Sequence, residues 1–345
     1  MANKPQILLL YTGGTIGMVK DFKTGALRTF NFDKLLNHIP EINLLNCSIK
    51  SISLKKPIDS SNMNPETWIC ISEIIEENYD NFDGFVILHG SDTMSYTSSA
   101  ISFMFENLTK PIIFTGSQLP IGDLRTDAKE NLITSLEIAS AQEEGKPIIQ
   151  EVCLYFEYKL YRANRTTKVN AEHFEAFTSP NYPPLAESGV HLKFSKQLLL
   201  KPNETDILKV RKNLNTNIAI LKIFPGISKS VLESVLNSKG LQGLIIETYG
   251  SGNAPTERWF IKLLKDAIIN GLHIVNVTQC LGGSVIMGHY ETSELLNKIG
   301  IISGKDITTE SALAKLMYLL GENIPKSEFK AVFETSLRGE MSLNF

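Results

Sequence analysis

Short apolar runs alternate with helix-like segments through the first half of the chain, and this alternation limits the possible folds more than any other feature. The runs typical of buried strands are Ile7–Tyr11, Ile49–Leu54, Gly84–Leu88, Pro111–Thr115 and Val152–Phe156. Between them, Pro65–Glu77 is predicted to be a helix, because Asn64 can cap it and a proline suits its first turn.

A second helix is indicated by apolar residues at helical spacing, and we expect it to pack one face on the sheet. These residues are Ala100, Ile101, Met104, Phe105 and Leu108. Strands that alternate with helices of this length are typical of a doubly wound α/β domain, with a mainly parallel sheet between two layers of helices.

The alternation stops between Ser195 and Asn217, where the chain is polar and broken, and then it resumes. The later elements are predicted at Ile218–Phe224, Ser228–Asn237, Gly243–Ile246, Thr256–Asn270 and His273–Val277. A chain of 345 residues also exceeds what one hydrophobic core usually organises. We therefore predict a larger N-terminal catalytic domain at 1–195, a linker at 196–214 and a smaller C-terminal α/β domain at 215–345.

Composition argues against several classes of function. The formal charge is −3, with both signs interspersed, so neither nucleic acid nor an anionic membrane is an expected partner. No apolar run reaches the ~20 residues of a membrane helix, and the first apolar segment is too brief for a signal peptide. The four cysteines are predicted to be buried free thiols in a reducing compartment, and the six histidines show no metal-binding spacing. We expect a cytoplasmic protein without a metal or cofactor.

Glycine-rich loops that carry hydroxyls follow two of the predicted strands directly, at Thr12–Gly17 and at His89–Met94. Glycine lets the backbone turn sharply and lets a substrate approach closely. Ligands of open α/β sheets bind beyond the carboxyl ends of the strands, where these loops are expected. A dinucleotide-binding loop is disfavoured because the spacing is not G-x-G-x-x-G, and a plain structural turn is the alternative for either loop alone.

A hydroxyl nucleophile needs a neighbouring base, and a desolvated lysine held by a carboxylate can serve. Thr15 as nucleophile, with Ser91, Asp92 and Lys168 beside it, meets this requirement. Lys168 is drawn into this set because its loop follows the strand Val152–Phe156, although most loop lysines are simply exposed. His89 is an alternative base, but a histidine at a strand end is more often a buried residue with satisfied hydrogen bonds.

The order and content of these loops resemble the bacterial-type L-asparaginase family, and most closely its cytoplasmic type I branch. The resemblance extends over nearly the whole chain and is carried by Thr12–Gly17, His89–Met94, Thr115–Gln118, Arg165–Lys168, Ala176–Asn181, Tyr249–Pro255 and Thr278–Cys280. It implies hydrolysis of L-asparagine to L-aspartate and ammonia through an acyl-enzyme. It also implies a homotetramer built as a dimer of dimers.

The resemblance also implies roles for individual residues. Thr15 matches the nucleophile, and Ser91, Asp92 and Lys168 match the family's second catalytic group. The residues expected to bind substrate are Ser60, Ser61, Ser91, Asp92 and Ser117. Ser60 and Ser61 would hold the α-carboxylate and α-amino ends, with Asp92 sharing the amino group. Backbone N–H groups around Thr15 and Ser91 would form an oxyanion hole.

Two positions depart from the family pattern. Ser91 stands where threonine is usual, so the hydroxyl is kept but the methyl that restricts its rotamer is lost. The predicted lid, Val19–Arg28, lacks the tyrosine that many relatives carry. Tyr290 resembles the tyrosine that some cytoplasmic relatives use instead, and we expect its hydroxyl within hydrogen-bond reach of Thr15.

Three other functions stay open or are disfavoured at this point. A mixed preference for glutamine and asparagine is open, because one methylene changes binding by only ~1–3 kcal/mol. A non-catalytic small-molecule binder on the same fold is the alternative from another class. The ammonia-releasing subunit of tRNA-dependent amidotransferases is disfavoured, since that subunit carries a further domain before its first threonine loop and here the first strand begins near Gln6.

Overall fold

The computed structural model describes residues 4–20, 27–29, 39–203, 205–288 and 291–342, which fall into two compact units. The units divide between Lys212 and Asn213, inside the segment predicted as a linker. Each unit has its own sheet and its own helices. The predicted fold class, a larger N-terminal α/β domain and a smaller C-terminal one, is confirmed.

The described part of the first unit contains an eight-stranded sheet in the order β8-β7-β6-β5-β4-β3-β1-β2. Its strands are β1 (Gln6–Tyr11), β2 (Ser48–Ser53), β3 (Gly84–Leu88), β4 (Ile112–Thr115), β5 (Val152–Phe156), β6 (Lys159–Arg162), β7 (Ala186–Ser188) and β8 (Leu192–Phe194). The strands from β1 to β5 pair in parallel, whereas β6, β7 and β8 add an antiparallel edge. The carboxyl ends of the parallel strands therefore share one edge.

Both faces of the central strands are buried, which explains why these strands read as unbroken apolar runs. Ile7 and Val86 belong to a core on one face, where Leu132 and Leu136 of a helix pack against them. The alternate residues Leu8 and Phe85 are equally buried. The helices of this unit are α1 (Pro65–Asn78), α2 (Met94–Met104) and α3 (Ala128–Ser140).

Helix α1 begins as predicted, because the Asn64 side chain accepts a hydrogen bond from the Thr67 backbone N–H at 2.9 Å. The prediction for α2 is wrong in two respects. The helix ends at Met104, and Phe105–Glu106 instead pairs as a short strand with Lys209–Val210. It is also buried on nearly every side, because its polar residues are small serines and threonines that neighbouring segments cover.

The second unit contains, among its described residues, a four-stranded parallel sheet in the order β9-β10-β11-β12. The strands are β9 (Ile218–Lys222), β10 (Gly243–Thr248), β11 (His273–Thr278) and β12 (Ile302–Ser303). The helices are α4 (Lys229–Leu236), α5 (Arg258–Ile269), α6 (Glu291–Lys298), α7 (Thr309–Gly321) and α8 (Lys326–Phe333). Phe260 and Leu264 of α5 pack with Leu244 and Ile274 in the core.

The cysteines do not all lie where the sequence predicts. Each is a free thiol, but Cys70 and Cys280 are exposed, so the prediction of burial is wrong for them. Cys70 lies on the solvent side of α1, whose buried side includes Trp68 and Ile71, and Cys280 follows the end of β11. In the described residues, no helix combines the length and the apolar character needed to cross a membrane.

Candidate active site

Three loops meet at the edge where the parallel strands end, and backbone-to-backbone contact brings them together. A methyl group added at Gly14 would lie 2.5 Å from the Gly90 backbone nitrogen, and one at Gly13 would lie 2.0 Å from the Ile58 carbonyl oxygen. Both glycines have positive φ angles, of 89° and 131°. Only glycine permits this conformation and this approach together, so the glycines place the Thr15 loop directly against the loop that carries Ser91.

Thr15 itself is half-buried and begins a short 3₁₀ turn, Thr15–Gly17, immediately after Gly14. The neighbouring Thr12 is buried, and its hydroxyl donates to the Leu88 carbonyl oxygen at 2.8 Å. Of these two threonines, Thr12 therefore fastens the loop to strand β3, whereas Thr15 lies where the loop turns out of the sheet.

Ser60 and Ser61 belong to the loop after β2 and are held by different contacts. Ser60 is buried, and a methyl group at Gly90 would lie 2.5 Å from its hydroxyl oxygen. The Thr93 hydroxyl donates to the Ser60 carbonyl oxygen at 2.7 Å, which ties this loop to the Ser91 loop. The Asp59 carboxylate accepts from the backbone N–H and the hydroxyl of Ser61, and these bonds lower the pKa of Asp59.

Lys168 joins the hydroxyl and the carboxylate that the sequence assigns to it. Its ammonium nitrogen lies 2.7 Å from Asp92 Oδ1 and 2.8 Å from Ser91 Oγ. The Lys168 side chain is 17% exposed, whereas that of Asp92 is 66% exposed. The lysine is thus mostly covered and the carboxylate faces solvent, as expected for a group that a substrate can still reach. Asp92 also precedes the first turn of α2, where the helix dipole favours a negative charge.

The path of the chain to Lys168 differs from the one predicted, because Lys168 does not follow β5 directly. Strand β6 first runs back antiparallel to β5, and the chain then returns to the site along helix α2. Asn164 hydrogen-bonds the Ser102 hydroxyl at 3.1 Å, and Thr166 contacts the Ser95 hydroxyl at 3.1 Å. The serines of α2 are small enough to allow this close approach. The segment can therefore follow the helix back towards Ser91.

Two residues of the Thr115–Gln118 motif lie beside this group. Gln118 accepts the Ser91 hydroxyl hydrogen bond on its Oε1 at 3.1 Å, a contact that has no signal in the sequence. The Ser117 hydroxyl, predicted to bind substrate, donates to the Leu119 carbonyl oxygen at 2.6 Å and is buried. The Asp127 carboxylate accepts from the backbone N–H groups of Gln118 and Leu119, and thereby fixes the turn.

His89, the alternative base, lies fully buried under the loops. Burial lowers its pKa to about 4, although its contact with the Gly90 carbonyl oxygen acts in the opposite direction. At 2.7 Å from that carbonyl, Nδ1 is the nitrogen that carries the proton, and the ring packs edge-on against Phe114. A neutral, enclosed imidazole of this kind supports the loop and is not placed to exchange protons with a substrate.

Tyr290 and most of the predicted lid, including Lys23 and Gly25, lie outside the described residues. Of the lid, Met18–Lys20 pairs with Leu27–Thr29 as a short antiparallel hairpin. In the described ranges, no three His, Cys, Asp or Glu side chains are grouped to hold a metal ion. The chemistry available at this edge is therefore that of hydroxyls, an ion pair and backbone N–H groups, which suits acyl transfer.

Comparison with known proteins assigns the family. The model described as "Asparaginase, N-terminal" matches residues 6–200, and the one described as "Glutaminase/Asparaginase C-terminal domain" matches residues 217–333. The chain belongs to the L-asparaginase family. It is 41% identical to L-asparaginase 1 of Escherichia coli K12 over 98% of both chains.

Other relatives extend this comparison. The chain is 38% identical to the 60 kDa lysophospholipase of Mus musculus, covering 99% of this chain and 64% of that one. The crystal structure of L-asparaginase I from Vibrio cholerae superposes with a TM-score of 0.90 at 42% identity, covering 99% of this chain and all of the other. The chain is thus an amidohydrolase of the L-asparaginase family, and the predicted resemblance is confirmed.

Proposed function

We propose that this protein hydrolyses L-asparagine to L-aspartate and ammonia with Thr15 as the nucleophile. The observation that carries the proposal is the contact of Lys168 with both Ser91 and Asp92. Ser91 and Asp92 belong to the loop whose Gly90 lies against Gly14, the residue before Thr15. This arrangement supplies a nucleophile, a base and a carboxylate at one sheet edge. The names of the E. coli and V. cholerae relatives support asparagine as the substrate.

In the proposed reaction, the Thr15 oxygen attacks the side-chain amide carbon and its proton passes to a base. Backbone N–H groups around Thr15 and Ser91 stabilise the negative charge that develops on the amide oxygen. The C–N bond then breaks, the nitrogen takes up a proton and leaves as ammonia, and an ester to Thr15 remains. Water attacks this ester, releases aspartate and restores the Thr15 hydroxyl.

Substrate recognition follows from the charges and hydroxyls at the edge. Ser60 and Ser61 would bind the α-carboxylate and α-amino ends, and Asp92, which is mostly exposed, would share the α-ammonium group. Ser117 would act beside them, if a substrate draws its hydroxyl away from Leu119. Tyr290 as a partner of Thr15, a homotetrameric assembly and a cytoplasmic location stay predictions of the family resemblance.

The test is ammonia release by purified protein from asparagine and from glutamine over a concentration series. We expect turnover of asparagine and a higher kcat/KM than for glutamine; comparable values would show a mixed preference. A lysophospholipid, the substrate in the name of the mouse relative, serves as a specificity control. A folded protein that binds asparagine and releases no ammonia would instead be the non-catalytic binder.

Thr15→Ala is expected to abolish turnover while the fold is retained, because the nucleophilic oxygen is removed from a half-buried loop position. Thr15→Ser is the matched control, since it keeps the hydroxyl and should keep measurable activity. Circular dichroism checks the fold of both variants. Wild-type turnover in Thr15→Ala would remove Thr15 from the mechanism.

A further inference from the structure

The Gln118 side chain is fixed at both ends of its amide. Its Oε1 accepts the Ser91 hydroxyl hydrogen bond, and its Nε2 donates to the carbonyl oxygens of Ala171 and His173 at 3.2 and 3.1 Å. Its backbone N–H donates to Asp127 Oδ2 at 2.8 Å. Neither the side chain nor the backbone of Gln118 can therefore move without the loss of hydrogen bonds.

These contacts also determine which way the amide points. The group that faces two carbonyl oxygens must be the NH₂ group, because an amide oxygen in that place would have no donor to accept from. The oxygen is thereby directed at Ser91. A glutamine oxygen can only accept, so Ser91 must be the donor in that contact.

The direction of the Ser91 hydroxyl follows from its two partners. The Lys168 ammonium has only N–H groups to offer, so it donates to the Ser91 oxygen at 2.8 Å. The Ser91 proton then points to Gln118, and a lone pair points to Lys168. A serine side chain has three staggered positions and no methyl group to restrict them. Rotation of Ser91 to another position would break both contacts.

We propose that Gln118 is a positioning residue, which holds the Ser91 oxygen against Lys168 by a hydrogen bond. This inference rests on the proposed function, because it assigns Gln118 to the same catalytic group. Gln118 also links that group to the Asn170–His173 turn, which is closed by hydrogen bonds from the backbone N–H groups of Glu172 and His173 to the Asn170 side chain. Gln118 acts through Ser91 and is not assigned a contact with substrate.

The test combines Gln118→Met, which keeps the side-chain length and removes both polar atoms, with Ser91→Thr, whose methyl restricts the rotamer directly. We expect Gln118→Met to lower kcat at least tenfold and to change KM less than threefold. The kcat of Ser91→Thr alone is measured as the reference for the double variant. In the double variant, kcat should recover to within about threefold of Ser91→Thr.

Asn170→Ala is the matched control, because it removes the side chain that closes this turn and keeps the Gln118 amide that faces Ser91. If Gln118 acts through Ser91, Asn170→Ala lowers kcat less than Gln118→Met does. The proposal is overturned by a Gln118→Met kcat within twofold of the wild type, by a loss confined to KM, or by a double variant as impaired as Gln118→Met.

Crystal structures of the wild type and of Gln118→Met give a readout that needs no turnover. We expect one Ser91 rotamer in the wild type and several, or a different one, in the variant; an unchanged single rotamer overturns the proposal. If the wild-type protein releases no ammonia from asparagine, the proposed function fails, and these structures still decide whether Gln118 holds Ser91.

Discussion

Each of the two units contains a lysine paired with a carboxylate, and the surroundings of the two pairs are opposite. In the first unit, Lys168 meets Asp92, whose side chain is 66% exposed. In the second unit, Lys315 of α7 meets Glu340, and both side chains are completely buried. The first pair thus has its carboxylate open to solvent, whereas the second is sealed from it.

The hydrogen bonds around the buried pair explain its role. Lys315 also donates to the Thr335 carbonyl oxygen at 2.6 Å and lies over the Phe333 ring. Burial raises the pKa of Glu340, but the Lys315 ammonium and the backbone N–H groups of Leu337 and Arg338 outweigh it, so the pKa lies below its ordinary value. The pair fixes the segment after α8 to the core.

The difference teaches that what covers a lysine–carboxylate pair decides whether it is suited to structure or to the chemistry proposed for Lys168 and Asp92. A buried pair costs desolvation and is strongly destabilising to break, because one charge is left without a partner. A pair with an exposed member contributes little to stability, since water and salt replace the lost partner. Each of the following experiments tests one side of this contrast.

Among the variants of the two ion pairs, the largest effect is expected for Lys168→Met. Removal of a general base usually lowers the rate by ~10²–10⁴, and the loss should appear in kcat, with the free energy of unfolding nearly unchanged. Ammonia release and urea denaturation of the same preparation measure the two quantities. A change confined to KM would make Lys168 a binding residue, and a large loss of stability would contradict the contrast with Lys315.

Lys315→Met should do the reverse and lower the free energy of unfolding by about 3–5 kcal/mol, because it leaves the Glu340 carboxylate buried without its cation. Activity per folded molecule should remain near the wild-type value. The matched control is Lys315→Met combined with Glu340→Gln, which removes the unpaired charge and should be less destabilised than the single variant. Equal destabilisation of the two would show that packing, and not the charge, is responsible.

His89 extends the contrast to a buried group without a charged partner. Burial lowers its pKa from 6.5 to about 4, so the unfolded chain binds a proton in this range and the folded chain does not. The contribution of neutral His89 to the free energy of unfolding is therefore fully present above about pH 6.5. It falls as the pH drops towards 4, by up to roughly 3 kcal/mol at 1.36 kcal/mol per pKa unit. His89→Gln should flatten this part of the pH profile in urea denaturation; an unchanged slope would assign it to other groups.

The smallest effect on stability is expected for Asp92→Asn. Because the carboxylate is mostly exposed, the free energy of unfolding should change by less than about 1 kcal/mol, and 1 M salt should reduce even that. Denaturation at low and high salt measures it. A salt-independent loss of several kcal/mol would show that Asp92 is a structural partner like Glu340.

The strands of the parallel sheet could be predicted closely, whereas the antiparallel return could not. Gly84–Leu88 and Val152–Phe156 lie at the predicted bounds, since these runs are apolar and polar residues flank them. Strand β6 carries charged residues, and Arg162 can be buried because Glu151 pairs with it at 2.6 Å and the Leu198 carbonyl oxygen accepts from it at 2.8 Å. A partner of that kind is a tertiary contact with no local signal in the sequence.

The same limit applies to the site. The sequence grouped Lys168 with Ser91 and Asp92 because a hydroxyl nucleophile needs a base and because the Lys168 loop was predicted to follow Val152–Phe156 directly, and the family resemblance named the same group. Strand β6 in fact lies between them. No role could be predicted for Gln118 from the Thr115–Gln118 motif. Its hydrogen bonds to Ser91, Ala171 and His173 join segments that are far apart in the chain. Exposure could not be predicted either for Cys280, whose apolar neighbour Leu281 is itself exposed.

Both members of the Lys168–Asp92 ion pair are anchored to helix α2. Asp92 immediately precedes the helix, and the segment that ends at Lys168 is attached to it through Asn164 and Thr166. Both residues are thus attached to the same helix, and this common attachment brings lysine and carboxylate to their 2.7 Å spacing. The position of the pair relative to Thr15, which belongs to the loop after β1, is set by a different contact, the close approach of Gly14 to Gly90. One helix thus sets the spacing within the pair, and one pair of glycines sets its place beside the threonine.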